Sequence, residues 1–207
     1  MSSTDRTRVR RLPIRGHYDR ATIDAILDEA LYCHLSFVVD GQPYVIPTLH
    51  ARAGDLLYIH GSSASRMLRN AATGAPMCAT VTLLDGLVLA KSVFNHSMNY
   101  RSVVVLGEAT QLADEAKLEA LHLFTERVAP GRWDEARQPT PTELKATTIL
   151  TLPLNEASAK VRSGPPEDEP EDIDLPVWSG VVPIHLAAEP SEYDWGRVQD
   201  GRVGPPR

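Results

Sequence analysis

The chain has 207 residues, 43% of them apolar, enough for one domain with a sizeable core and short tails. Its 21 basic and 27 acidic residues leave a net charge of −6, which excludes a field that would gather nucleic acid. No apolar run approaches the roughly 20 residues of a membrane helix, and the first residues lack a signal peptide's apolar stretch, so a cytoplasmic protein with no membrane partner is expected.

Residues 1–18, with Arg6, Arg8, Arg10, Arg11 and Arg15, carry no apolar period and read as a loosely held basic arm. The domain proper is expected over 19–186. Behind a cap at Asp19, Ile23, Ile26, Leu27, Ala30 and Leu31 recur at helical spacing and predict a helix of about three turns. Strands follow at His34–Val39, Gln42–Arg52 and Leu56–His60. The first pair is joined by Asp40-Gly41, a dipeptide suited to a type I′ hairpin. Met77–Leu84 and Leu87–Val93 flank Asp85-Gly86 and predict a second hairpin of the same kind.

Arg101–Leu112 is a long strand with a bulge or bend expected at Gly107, and Thr147–Leu152 and Ala157–Arg162 complete the set. Helices are expected at Ser63–Ala72, Asp114–Val128 and Thr142–Ala146, the second packing Leu118, Leu121 and Phe124 against the outside of the sheet. Residues 164–176 are acidic and proline-rich and read as a surface crossing; Val177–Leu186 must dock again, and 187–207 form a tail. Seven or eight strands joined by short turns, with few helices between them, argue for a mainly β fold: an antiparallel barrel with peripheral helices.

Two segments carry candidate chemistry. In Tyr58–Leu68 a strand ends, serines follow, and a helix starts with Arg66 in its first turn. Free amides, hydroxyls and a guanidinium together suit a phosphate dianion, although a plain serine-capped helix with an exposed arginine has the same sequence. Between Lys91 and Ser102, polar and aromatic residues crowd a connection. His96 there is either a base or ligand or a simply hydrogen-bonded histidine, and Arg101 either a phosphate contact or an edge charge. Cys33 and Cys78 belong to no ligand motif and read as reduced core thiols, and no metal site is expected.

Gln42-Pro43-Tyr44-Val45-Ile46-Pro47-Thr48, Gly54–Gly61, Ser65-Arg66, Asp85–Ala90 and Asn99-Tyr100-Arg101-Ser102 together resemble the pyridoxamine 5′-phosphate oxidase-like, FMN-binding split-barrel superfamily, in particular its nitroimidazole-resistance (NimA-like) branch. The resemblance implies a six-stranded antiparallel split β-barrel and a homodimer with FMN in clefts at the subunit interface. It places Ile46, Pro47 and Thr48 along the flavin ring, and Ile59, His60 and Gly61 beside the ring and ribityl chain. Ser65 and Arg66 match the phosphate grip, Arg101 and Ser102 the ribityl and phosphate side, and Tyr100 and Trp178 would cover the cofactor.

Ser65 stands where the vitamin-producing oxidases carry a basic residue, so pyridoxamine phosphate oxidation is not implied. The flavin would carry the redox chemistry, with no catalytic side chain required. The expected activity is reduction of a small organic acceptor, a nitroaromatic being one candidate. A non-catalytic flavin carrier is the alternative. So is the same fold holding haem or a deazaflavin, with His50, His60 or His96 as an axial ligand to the haem.

Overall fold

The computed structural model describes residues 4–187 and the backbone at 198–199 and 202–203, so most of the expected tail lies outside the described residues. Helix α1 (Arg20–Glu29) starts where Asp19 accepts a hydrogen bond from the Thr22 amide at 2.8 Å, satisfying one orphan donor of the first turn. That start turns Ile23, Ile26 and Leu27 onto one buried face, which closes one end of the barrel.

The barrel strands are β2 (Tyr32–Val39), β3 (Gln42–Ala53), β4 (Leu56–Ser62), β5 (Pro76–Leu89), β6 (Ser97–Glu108), β7 (Thr110–Gln111), β8 (Thr147–Pro153) and β9 (Ala157–Arg162). With β1 (Gly16–His17) at one edge, they pair antiparallel in the order β1-β9-β6-β5-β2-β3-β4-β8-β7, and β10 (Gly180–Pro183) adds to β5. These are ten strands of one open ladder among the described residues. Seven long segments, where six were expected, account for its wall, since β7 continues β6 past Ala109. At the far end β7 leaves β6 behind and pairs with β8, and the ladder stays open.

Alternation along the strands fills the interior. Cys33, Leu35 and Phe37 of β2, Leu57 and Ile59 of β4, Val103 and Val105 of β6 and Leu150 and Leu152 of β8 are all buried in one core. Helix α3 (Lys117–Val128) packs outside, setting Ala120 and Phe124 on Ala51 and Ile149, and Leu121 joins that outer cluster as expected. Burial pushes the Cys33 thiol up to about 12, in keeping with an unreactive core residue.

The Asp40-Gly41 turn forms as expected, with both residues at positive φ, 51° and 77°. Asp85-Gly86 does not turn. β5 runs straight through it with a bulge between Leu84 and Gly86, and the return to β6 is made instead by residues 90–96. The reason is a neighbour distant in sequence. β10 lies on this stretch, pairing Val181 with Val88 and Pro183 with Gly86, so the dipeptide is held extended from both sides.

The expected bend at Gly107 falls two residues later, at the break between β6 and β7. Gly107 stays paired with Met77, and a Cβ there would sit 3.1 Å from Leu152 Cδ1. Helix α2 is shorter than expected, Arg66–Ala71, because Ser65 rather than Ser63 caps it. A short helix, α4 (Arg132–Glu135), lies in a region read as loop, while α5 (Pro141–Ala146) opens on a Thr140–Glu143 capping box.

The N-terminal basic segment, read as solvated, makes defined contacts. Gly16 and His17 pair with Lys160 and Ala159 of β9, Arg6 forms an ion pair with Glu156, and the Val9 amide donates to the Tyr18 hydroxyl at 2.9 Å. The acidic crossing is also tied down. The Lys91 amide donates to Asp168 at 2.6 Å, and Lys91 Nζ donates to the carbonyls of Leu175 and Val177.

Two outcomes test this packing. A Cβ on Gly86 would lie 2.9 Å from Val181 Cγ1 and 3.0 Å from the Val182 oxygen, so Gly86→Ala is expected to loosen β10. Limited proteolysis then cuts within 177–187 several-fold faster while the barrel's melting point barely moves; an unchanged cleavage pattern would show that β10 is not held there.

His50, 1% exposed, places Nε2 2.8 Å from the Leu27 carbonyl. A carbonyl only accepts, so Nε2 carries the proton and Nδ1 is left bare, with no partner. Burial lowers the His50 and His60 pKa values from the ordinary 6.5. Below pH 6.5 the unfolded chain then binds more protons than the folded one, so stability is complete above that pH and falls as pH drops toward the lowered values. Urea unfolding at pH about 5 and about 7 should show this loss, reduced in His50→Leu.

Candidate functional site

The site begins with a mismatch of strand lengths. β4 pairs with β3 only from His50–Ile59 to Ala53–Leu56, while Gln42–Leu49 continue along β2 alone. β4 likewise runs on through His60, Gly61 and Ser62 against β8 alone. The two strands part beyond this point, leaving one edge of residues 42–49 without a ladder partner among the described residues. Backbone amides and carbonyls along such an edge stay available to a ligand. Pro43 and Pro47 lie in this half of β3, where a missing donor is tolerated.

Helix α2 closes the far side of the split. Gly61 lets it approach, since a Cβ there would stand 3.1 Å from Leu68 Cδ1. Ser65 is spent on capping, its hydroxyl accepting from the Leu68 amide. Arg66 reaches back across the split, with its guanidinium carbon 4.1 Å from the centre of the Tyr44 ring. It has no carboxylate partner among the described residues, so its charge is not already answered.

Ile46, 38% exposed and on the same face as Tyr44, leaves apolar surface open beside it. Ile59 is sealed in the core, its side chain turned away from the split. His60 faces the other way, its ring 4.3 Å from that of Phe124, with Nδ1 buried and unpartnered. Ile46–Thr48 thus lie on the open half of β3, His60–Gly61 on β4 beyond its pairing with β3, and Ser65–Arg66 at the start of α2.

The remaining expected residues lie elsewhere in the chain. Arg101 sits at the α1 end of the barrel, bonded to Asp85 at 2.7 Å and to both oxygens of Glu29. Those two carboxylates raise its pKa, and its guanidinium in turn holds Glu29 below the usual carboxylate range. A guanidinium so matched has little charge left for a phosphate. It lines a cavity of about 580 Å³ with Leu83, Leu84 and Ile184. Ser102 faces the outer side of the sheet, donating to the Lys160 carbonyl at 3.2 Å, and Tyr100 pairs with Leu84 and Arg162.

Trp178, 61% exposed, folds over its own chain, where a Cβ on Gly180 would lie 2.6 Å from its ring. His96 is accounted for by its contact with the Ala90 carbonyl at 3.1 Å. The sequence reading missed Tyr44 as the platform of Arg66 and Phe124 as the neighbour of His60. It also missed Glu29 and Asp85 as partners of Arg101. Tyr44 could have been found from the prolines that mark its half-strand as an edge. The others are contacts across 16 to 72 residues with no local signature.

A family model for pyridoxamine 5′-phosphate oxidase matches residues 19–161, more than half of the chain. The chain belongs to the pyridoxamine 5′-phosphate oxidase family. Among solved structures, the flavocytochrome Anf3 from Azotobacter vinelandii is 41% identical, with TM-score 0.88 over 95% of this chain and 92% of that one. An FAD and haem binding protein from Mycobacterium smegmatis is 38% identical, with TM-score 0.82 over 93% and 94%.

A chain from Bacteroides thetaiotaomicron named for 5-nitroimidazole antibiotic resistance shares the fold at 20% identity, with TM-score 0.59 over 70% and 86%. No curated protein sequence matches. Membership in this family agrees with the resemblance drawn from the motifs. No helix among the described residues is long and apolar enough to cross a membrane.

Replacing Arg101 by Met would leave Glu29 and Asp85 without their shared cation. Solvent reaches Glu29 and screens the pair, so a loss of about 1–2 kcal/mol is expected rather than the larger cost of a sealed pair. Urea unfolding checks this, and Arg101→Lys should recover part of the loss.

Proposed function

We propose that this chain is a flavin-dependent redox protein whose cofactor lies in the split between β3 and β4, its phosphate end at Arg66. The observation that carries the reading is an arginine with no carboxylate partner, poised over Tyr44 beside an apolar edge. A flat ring with a dianionic tail needs that pairing of apolar slot and cation. The ring rests along Ile46, Pro47 and Thr48 with backbone groups of the open edge at its polar rim. His60, Gly61 and Ser65 border the ribityl chain and phosphate. The part so held is common to FMN, the expected cofactor, and to FAD, which the 38% identical relative is named for.

When bound, the flavin supplies the electron transfer, and the chain's own residues orient it and exclude water. The half-exposed outer faces of β2 and β3, with Tyr32, Val45 and Leu49, are the surface a second copy would cover, making a homodimer with the cofactor at its interface. In this reading a small organic acceptor takes the electrons.

A second prosthetic group is favoured by one further feature. His60 has a buried, unpartnered Nδ1 and a pKa lowered by burial, so it stays neutral, as a haem ligand must. Of the three histidines considered, His50 and His96 already have backbone partners. Relatives at 41% and 38% identity are named for a flavocytochrome and for FAD and haem binding. We therefore read the protein as a carrier of flavin that also holds haem.

The absorption spectrum of the purified protein tests both groups: flavin bands alone retain the first and remove the second, and a colourless protein that takes up no flavin removes both. Arg66→Ala should weaken flavin binding by about 1.5–3 kcal/mol, the worth of a charge-assisted hydrogen bond. Arg101→Met should change it far less. Equal effects of the two would place the phosphate elsewhere.

A further inference from the structure

A second concentration of positive charge lies away from the split. The N-terminal segment passes over the outward faces of β6 and β9 and roofs a cleft of about 300 Å³. Arg6, Arg8, Arg10 and Arg11 line it from above, and Lys160 and Ser102 from below. Arg6 is answered by Glu156, and Arg8 weakly by Asp5 at 3.8 Å. Arg10, Arg11 and Lys160 have no acidic partner among the described residues.

The roof is a built structure. Thr4 donates to Glu156 at 2.6 Å, Thr7 is buried, the Val9 amide is held by Tyr18, and Gly16 pairs with Lys160 itself. Gly16 allows this closeness, since a Cβ there would lie 3.0 Å from Val9 Cβ.

In a chain of net charge −6, cations gathered in one cleft repel one another, and no neighbouring acid offsets Arg10, Arg11 or Lys160. A compact anion with several charges relieves that repulsion, and guanidinium groups suit phosphate oxygens. Val9 and Val104 add apolar surface beside the cations, fit for a ribose or base. A polynucleotide is a poor match, because the cleft is small and the rest of the molecule extends no positive field.

We propose that this cleft binds the diphosphate of a nucleotide. The chemistry has two sources, a separate dinucleotide electron donor or, should Arg66 not hold the flavin phosphate, the diphosphate of a flavin dinucleotide. The site is argued from its own residues and does not require the flavin reading.

Calorimetric titration of the full-length protein with ADP and with inorganic pyrophosphate tests it, on protein as purified and after removal of any flavin. Both probes are expected to bind. Arg10→Ala/Arg11→Ala/Lys160→Ala should weaken them about tenfold or more, whereas Arg10→Lys/Arg11→Lys retains most of the affinity and Arg132→Ala, on the distant α4, changes nothing.

ADP binding that FAD blocks and FMN does not identifies the flavin's own diphosphate and removes Arg66 as its phosphate grip. ADP binding that persists on FAD-loaded protein identifies a second nucleotide. Absence of binding by both probes, or a triple variant that binds like the parent with its circular dichroism intact, overturns the proposal. Flavin uptake without ADP binding removes this inference alone; ADP binding without flavin uptake removes only the reading of the split.

Discussion

The structure turns on one inequality: β3 is longer than the partner on its far side. Twelve residues of β3 meet β4 over only four pairs, and the eight before them lean on β2 alone. Full pairing would give a closed wall with no place for a ligand. Parting at Leu49 and His60 leaves polar backbone, apolar side chains and the start of α2 facing one gap. An exposed edge of this kind is a hazard for aggregation unless something covers it. Prolines at 43 and 47 blunt it in part, and a bound cofactor and second subunit would do the rest.

Charge is distributed to match that geometry. At the α1 end, Arg20, Arg52 and Arg101 are each answered by carboxylates: Asp24 and Asp55, Asp24 and Asp28, and Glu29 and Asp85. These partly exposed pairs fix α1 as a lid on the barrel more than they add stability. Arg66 in the split, and Arg10, Arg11 and Lys160 under the N-terminal segment, lack such partners. The same side-chain type thus serves two ends. Arginine matched by acids is structural, and arginine left unmatched beside apolar surface is available for an anion.

What could be read from the sequence follows the range of the interactions involved. The Asp19 cap, the Asp40-Gly41 turn, Leu121 and Phe124 of the α3 stripe and most strand centres depend on residues a few positions apart and are found as expected, whereas Leu118 of that stripe is exposed. Asp85-Gly86 shows the limit. Its composition matches Asp40-Gly41, yet one pair turns and the other runs straight, because β10 arrives from about a hundred residues later to hold it extended. The site divides the same way. Ser65 and Arg66 were legible as a helix start with a cation. That Arg101 is neutralised by Glu29, 72 residues away, was not, since α1 shows only its apolar period to a sequence reading.

Two histidines carry this further, because they lie on neighbouring strands and differ only in which face they occupy. His50 points inward, where the last turn of α1 offers the Leu27 carbonyl to Nε2 and fixes its tautomer, leaving Nδ1 bare. His60 points outward beneath α3, its ring 4.3 Å from that of Phe124, which cannot satisfy a ring nitrogen. Leaving a buried polar atom unpaired costs about 1–3 kcal/mol. His50 Nδ1 carries the same cost inside the core; His60 differs in standing next to the point where β3 and β4 part.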